Sequence, residues 1–227
     1  MSTPLSPDPV APNAGAKPAA DRIRDAATVI LIDRDRPGGP SVLMGMRGAA
    51  AAFMPSKYVF PGGAVDADDD APCPDALSDE CRARLTAEPL DGGRVTPDAL
   101  GQAALREMVE ETGLTLAPSA DDPLLFVFRA ITPPGRPRRF DARFFLIDAR
   151  NIVGDRDDFS GACDELSHLH WVPLAEARAL DLPFITEVVL AEVEALVRAA
   201  GNGPLHAPAT VPFFDNRGPE PRFVQLS

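Results

Sequence analysis

Arg106-Glu107-Met108-Val109-Glu110-Glu111-Thr112-Gly113-Leu114 is the stretch where residue type and spacing could do chemistry. In a helix turning roughly 100° per residue, Glu107, Glu110 and Glu111 fall within an arc of about 100°, beside a sector of Leu105, Met108 and Val109. Carboxylates crowded against an apolar edge repel one another. The i,i+4 pair Glu107 and Glu111 costs on the order of a few tenths of a kcal/mol on an exposed helix, and more where water is excluded. A hard divalent cation reverses the sign of that interaction. Magnesium binds through a few carboxylates plus waters and substrate phosphates, so the cluster points to metal-assisted chemistry on a phosphate ester or anhydride. Plain solvation also produces acidic helix faces; the flanking Arg106 and Gly113 favour the chemical reading.

Such a cluster needs a helix with a firm start and stop. Thr96-Pro97-Asp98 is a strong start, because Thr caps, Pro suits the first helical position and Asp favours the positive end of the dipole. Gly113 is a usual stop, so the helix is expected over Thr96 to Thr112. Short apolar runs at Ala26–Ile32 and Ser41–Arg47 read as paired strands across the Arg36–Pro40 turn, and Tyr58–Gly63 as a third extended piece. Further strands are expected at Leu124–Ile131, Arg143–Ile147 and His168–Val172. A second long helix is expected at Glu187–Ala200, where Val189, Val193, Leu196 and Val197 recur at helical spacing. Strands interleaved with helices imply an α/β or α+β sandwich. Residues 1–20, rich in Pro and Ala, read as a disordered leader. Residues 21–201 read as one domain, with an acidic, Pro-punctuated insertion at about 66–94 that has a short helix near Ala76–Ala87. Residues 202–227 read as a Pro-rich tail.

With 22 basic against 34 acidic residues the net charge is −12, which argues against a protein held to nucleic acid by phosphate neutralisation. An apolar fraction of 45% and a charged fraction of 25% are those of a folded globular chain. No run approaches the length of a membrane span, and the Pro-rich start does not read as a charged n-region before an apolar core, so a soluble, unexported protein is expected. The three cysteines, Cys73, Cys81 and Cys163, have no C-x-x-C pairing, so a reduced, cytoplasmic setting is expected.

These residues resemble the Nudix hydrolases, whose signature is G-x5-E-x7-R-E-U-x-E-E-x-G-U with U a bulky apolar residue. Positions 106 to 114 match its second half at every specified place. Phe60-Pro61-Gly62-Gly63 represents the first half, yet Gly63 and Arg106 stand 43 positions apart where the signature has 14, an excess of 29. Counting back from Arg106 places Asp98 where the signature has its first Glu. An insertion inside the signature is similar to the coenzyme A diphosphatase-like subgroup related to Nudix motif 19. The stretches Phe53–Gly63, Thr132-Pro133 and Arg138–Phe145 are similar to it as well. The resemblance implies a mixed-sheet α/β/α sandwich and water attack on the diphosphate linkage of a nucleoside diphosphate derivative, with coenzyme A or an acyl derivative as one candidate. It implies a homodimer as a common arrangement, while the net charge and the lack of a long apolar run predict no nucleic-acid and no membrane partner.

Carried over residue by residue, the resemblance makes Glu107 and Glu111 the main ligands of magnesium or manganese. Glu110 completes the cluster and the Gly63 carbonyl adds an oxygen. Arg106 orients Glu107. Glu165, six residues before Trp171, is a second candidate for base or ligand alongside Glu107. Arg47, Arg139 and Arg143, with Gly62 of the turn, are the substrate-binding candidates, since the planar arginine fork suits phosphate. The coenzyme A pattern upstream of the signature is matched by Arg47 and Phe60, whereas its second Arg and its Gly are Ala52 and Ser56. A catalytically silent module that binds a nucleotide metabolite is the competing class; the complete acid set favours catalysis. His168, His170 and Cys163 lack metal-spaced or catalytic partners and read as structural, and Phe213-Phe214 as a cover for the core or a dimer seam.

Overall fold

The computed structural model describes residues 22–48, 54–90, 95–118 and 123–227. The expected leader lies outside them, as do residues 91–94 of the insertion. The Ala26–Ile32 run forms the middle of a longer strand, β1 (Ile23–Asp33), in which Val29 to Ile32 are fully buried. A continuous apolar run rather than an alternating one marks a strand covered on both faces. Along one side β1 runs parallel to β6 (Arg139–Asp148), in register from Ile23↔Arg139 to Ile32↔Asp148. Along the other it pairs antiparallel with two partners: β4 (Gly62–Ala64) at Ala26–Thr28, and β2 (Ser41–Arg47) at Ile32–Asp33. Both β3 (Tyr58–Val59) and β7 (Leu166–Pro173) flank β2, and β5 (Leu125–Ile131) runs antiparallel to β6. The sheet is therefore mixed.

Two helices, α1 (Asp79–Leu85) and α2 (Pro97–Thr112), cover one face, and α3 (Phe184–Ala200) covers the other. Ala27, Val29 and Leu31 pack with Leu100, Ala103, Ala104 and Met108 of α2. Ile30 and Ile32 pack with Val189, Leu190, Val193 and Val197 of α3. Alternate residues of β1 thus feed opposite cores, the period of two that makes an α/β/α sandwich. Among the described residues no helix is long and apolar enough to cross a membrane. Cys73 and Cys81 are buried, Cys163 is exposed, and all three are free.

The ends of α2 are those expected. Thr96 Oγ1 accepts from the Ala99 N–H at 3.0 Å, and Gly113 closes the helix in the left-handed region at φ 74°, its N–H bonded to Val109 O. The other long helix starts three residues before the expected Glu187, because Pro183 takes its N-cap position. Residues 202–227, expected as a tail, carry two further strands of the same sheet: β8 (Val211–Asp215), parallel to β5, and β9 (Arg222–Leu226), antiparallel to β8. Phe213 is fully buried between β5 and the insertion, so it does cover the core.

The insertion is packed into the fold. Leu77, Cys81 and Leu85 join the core on the α2 side, around a helix shorter than the expected Ala76–Ala87. Three arginines fasten its far end. Arg84 donates to the carbonyls of Pro208 and Ala209, both at 2.7 Å, and Arg217 to Glu88 at 2.7 Å. Arg129, 1% exposed, donates to the carbonyls of Ala87 and Glu88 at 2.8 and 3.0 Å while pairing side-on with buried Asp141 at 2.9 and 2.7 Å.

Candidate active site

The last two turns of α2 lie against β4, and the turn that opens β4 meets the acids. Glu111 is 1% exposed. Its Oε2 accepts the Gly62 N–H at 2.7 Å, whereas its Oε1 is buried with no hydrogen-bond partner among the described residues. A buried carboxylate oxygen without a donor costs free energy and calls for an explanation. Glu107, also buried, lies directly over Gly63: a Cβ on that glycine would stand 2.1 Å from Glu107 Oε1, so only glycine lets the turn approach the carboxylates. Burial pushes the Glu111 carboxyl up to about 8, against the partial relief of the Gly62 N–H, and the charges of Glu107 and Glu165 push the same way. Burial likewise raises Glu107, with Arg106 holding it back in part.

Arg106 is the hub of the cluster. Its Nη1 donates to Glu107 Oε1 at 2.8 Å and Glu110 Oε2 at 3.1 Å, and its Nη2 to the Ala64 carbonyl at 3.1 Å. Its Nε and Nη2 also grip the two oxygens of Asp69, at 2.9 and 3.0 Å. Burial would raise the Asp69 carboxyl, but the bonds from Arg106 and the Asp66 backbone outweigh it and hold the group below its usual range. Asp69 stands six places after Gly63, where a forward count puts the signature's first Glu. Counting back gave Asp98 instead. That residue lies at the other end of α2, accepting from the Cys73 N–H at 3.1 Å and from Arg82 at 2.9 Å, so it ties the insertion to the helix start. The extra residues therefore follow Asp69, and a forward count of the signature would have found it.

The remaining expected residues divide. Glu110 sits at the rim, its side chain 55% exposed and held by Arg106. Glu165 is within electrostatic reach of both buried acids and pairs with Arg47 at 2.5 Å. The loop carrying Glu165 docks on the end of α2: the Cys163 N–H donates to Glu110 O at 2.7 Å, and the backbones of Gly113 and Gly161 touch. Arg139 and Arg143 are not presented to a ligand. Arg139 is buried and donates to the carbonyls of Thr132 and Asn216 at 2.9 and 2.6 Å. Arg143, equally buried, pairs with Asp25 at 2.5 Å and Asp141 at 3.2 Å beside a cavity of about 20 Å³ walled by Leu85, Leu90 and Val95, room for about one water. Both are buried, and their partners among the described residues are acceptors of the chain itself. His170 meets Tyr58 edge-on and shares a hydrogen bond with the His168 carbonyl at 2.7 Å.

Among the described residues, no three acid, His or Cys side chains are already gathered as a metal cage. The donor set nevertheless fits a hard divalent ion. It offers hard oxygen donors, chiefly carboxylates of which one oxygen is orphaned, against a glycine whose lack of a Cβ lets Glu107 approach. Magnesium takes one or two carboxylates and completes its shell from water and substrate.

No family model matches the chain. A Caenorhabditis elegans protein named as nudix hydrolase 7 is 30% identical over 162 residues, covering 66% of this chain and 51% of that protein, so the chain spans about half the length of the curated relative it matches. The crystal structure of a Nudix hydrolase from Alicyclobacillus acidocaldarius is 26% identical, with a TM-score of 0.56 over 82% of this chain and 99% of that one. The Nudix domain of Shewanella oneidensis NrtR, solved with ADP-ribose, superposes with a TM-score of 0.52 at 14% identity over 80% of this chain and 94% of that one, a likeness of fold alone.

Proposed function

We infer that this chain, which has the Nudix fold and carries its acids in the Nudix signature, is a metal-dependent hydrolase of a diphosphate linkage in a nucleoside diphosphate derivative. One observation carries the reading: Glu111 is buried with an oxygen that none of the described residues satisfies, beside Glu107 and over a turn that only glycine can make. A binding module gains nothing from that arrangement, since a buried, half-satisfied carboxylate destabilises the fold.

In this reading Glu107, Glu111 and the Gly63 carbonyl hold magnesium or manganese. Such an ion, when bound, offsets charge on phosphoryl oxygens and lowers the pKa of an attacking water. Arg106, itself fixed by Asp69, keeps the Glu107 carboxylate turned toward the Gly62–Gly63 turn. Glu107 or Glu165 accepts the proton of the water that attacks phosphorus. Arg47 binds the phosphate, and Glu110 tunes the rim. The products are two phosphomonoesters. Coenzyme A or an acyl derivative is the candidate substrate on the strength of Arg47, Phe60 and the insertion within the signature.

The test is incubation with magnesium and a panel of coenzyme A, ADP-ribose, NADH and nucleotide sugars, with detection of phosphomonoester products. Cleavage of at least one, lost on chelation, is expected. Tight binding of a panel member without cleavage would establish the sensor reading instead.

A further inference from the structure

Arg47 ends β2, and its backbone is fixed by bonds to Lys57 O at 3.0 Å and from the Ser56 N–H at 3.1 Å. Glu165 stands on the loop that docks on α2 through Cys163. Both backbones are therefore held, and only the two side chains are free to rearrange. As they stand, one guanidinium nitrogen, Nη2, meets Glu165 Oε1, while Nε is sealed from solvent with no acceptor among the described residues. The Glu165 side chain is 54% exposed.

The geometry points to an exchange latch: Arg47 holds Glu165 when no phosphate is present, and releases it when a phosphate takes the guanidinium. This rests on the diphosphohydrolase reading. Two features favour exchange over a permanent tether. A half-exposed ion pair is weak, because water screens it and ordering two long side chains costs entropy. A phosphate offers charge-assisted, two-pronged bonds, and turning toward it would free Nε from a position in which it has no partner. The loop that carries Glu165 is bonded to α2 at Glu110, through the Cys163 N–H at 2.7 Å, so the carboxylate is released beside the helix end that carries Glu107 and Glu111. The candidate base is thus set free by the seating of a phosphate.

Methylenediphosphonate, a non-hydrolysable bridge, tests this by calorimetric titration at saturating magnesium into the wild-type chain, Arg47→Ala, Glu165→Gln and the double variant. Removing the competing carboxylate should tighten binding about threefold to tenfold when Arg47 is present, and by less than about 1.5-fold when it is absent. Equal tightening in both backgrounds would mean that Glu165 merely repels the anion, and weaker binding in Glu165→Gln would mean that it orients Arg47; either overturns the latch. Failure of the wild-type and Glu165→Gln chains to bind at millimolar probe would remove the diphosphate reading itself, and the latch with it. Arg47→Gln supplies the same leg of the cycle should the alanine variant not fold.

Discussion

Two regions bury carboxylates on the same face of the sheet and treat them in opposite ways. Asp141, fully buried, is gripped side-on by Arg129 and approached by Arg143; Asp215, 2% exposed, accepts from Arg217 and Arg222. Burial alone would raise the Asp215 carboxyl, but the bonds from Arg217 and Arg222 hold it well below its ordinary range. Glu111 is as buried as either, yet it has a single backbone donor, and its proton affinity is raised. Where charge is balanced within the chain, the carboxylate holds the insertion and the C-terminal hairpin to the sheet. Where it is left unbalanced, the proposed function supplies the missing partner from outside, as a divalent ion.

Breaking the balanced region should cost fold. Asp141→Ala leaves Arg129 buried without its anion and Arg143 with Asp25 alone, and should lower stability by about 3–5 kcal/mol in urea unfolding. Turnover per folded molecule should stay near normal. Breaking the unbalanced region should do the reverse. Glu111→Gln should reduce kcat/KM by at least a hundredfold, about 2.7 kcal/mol of transition-state stabilisation, while the metal-free protein gains stability. A smaller effect sharpens the division along α2: Asp69→Asn should cost roughly tenfold in kcat/KM by loosening Arg106, whereas Asp98→Asn should cost less than about twofold and instead weaken the helix start.

The smallest effect is on pH. The folded-state pKa of Glu111, about 8, lies above its ordinary 4.5, so the stabilising contribution of its proton is complete below 4.5 and is lost as pH rises through 8. The metal-free wild-type chain should therefore lose Tm as pH rises from about 4.5 to about 8, and Glu111→Gln should not show that component of the loss. Asp215 works with the opposite sign: its contribution is present above the ordinary carboxylate pKa and is lost on acidification below it.

The site was more legible in the sequence than its surroundings. Local chemistry fixes the start of α2 at Thr96 and its stop at Gly113, and with them the face that carries Glu107 and Glu111. Gly63 was legible for the same reason, as a turn. Asp69 was hidden by the direction of counting through an insertion. The roles of Arg139 and Arg143 were not legible, because an arginine on a strand looks the same whether its acceptor is a phosphate or a carbonyl brought in by another element, and only tertiary packing decides. The C-terminal strands were masked by Pro212, which argues against an interior strand. Burial of Val211 and Phe213 overrides that local preference, and β8 lies between β5 and β9.

The central claim is that Glu111 waits for a cation. Its most direct test is calorimetric titration of magnesium, and then manganese, into the wild-type chain and Glu111→Gln at pH 7 in two buffers of different ionisation enthalpy. The wild-type chain should take up metal and release a proton as it does so, and the variant should show neither. Equal uptake by both chains, or uptake by the wild type with no proton released, would contradict the account.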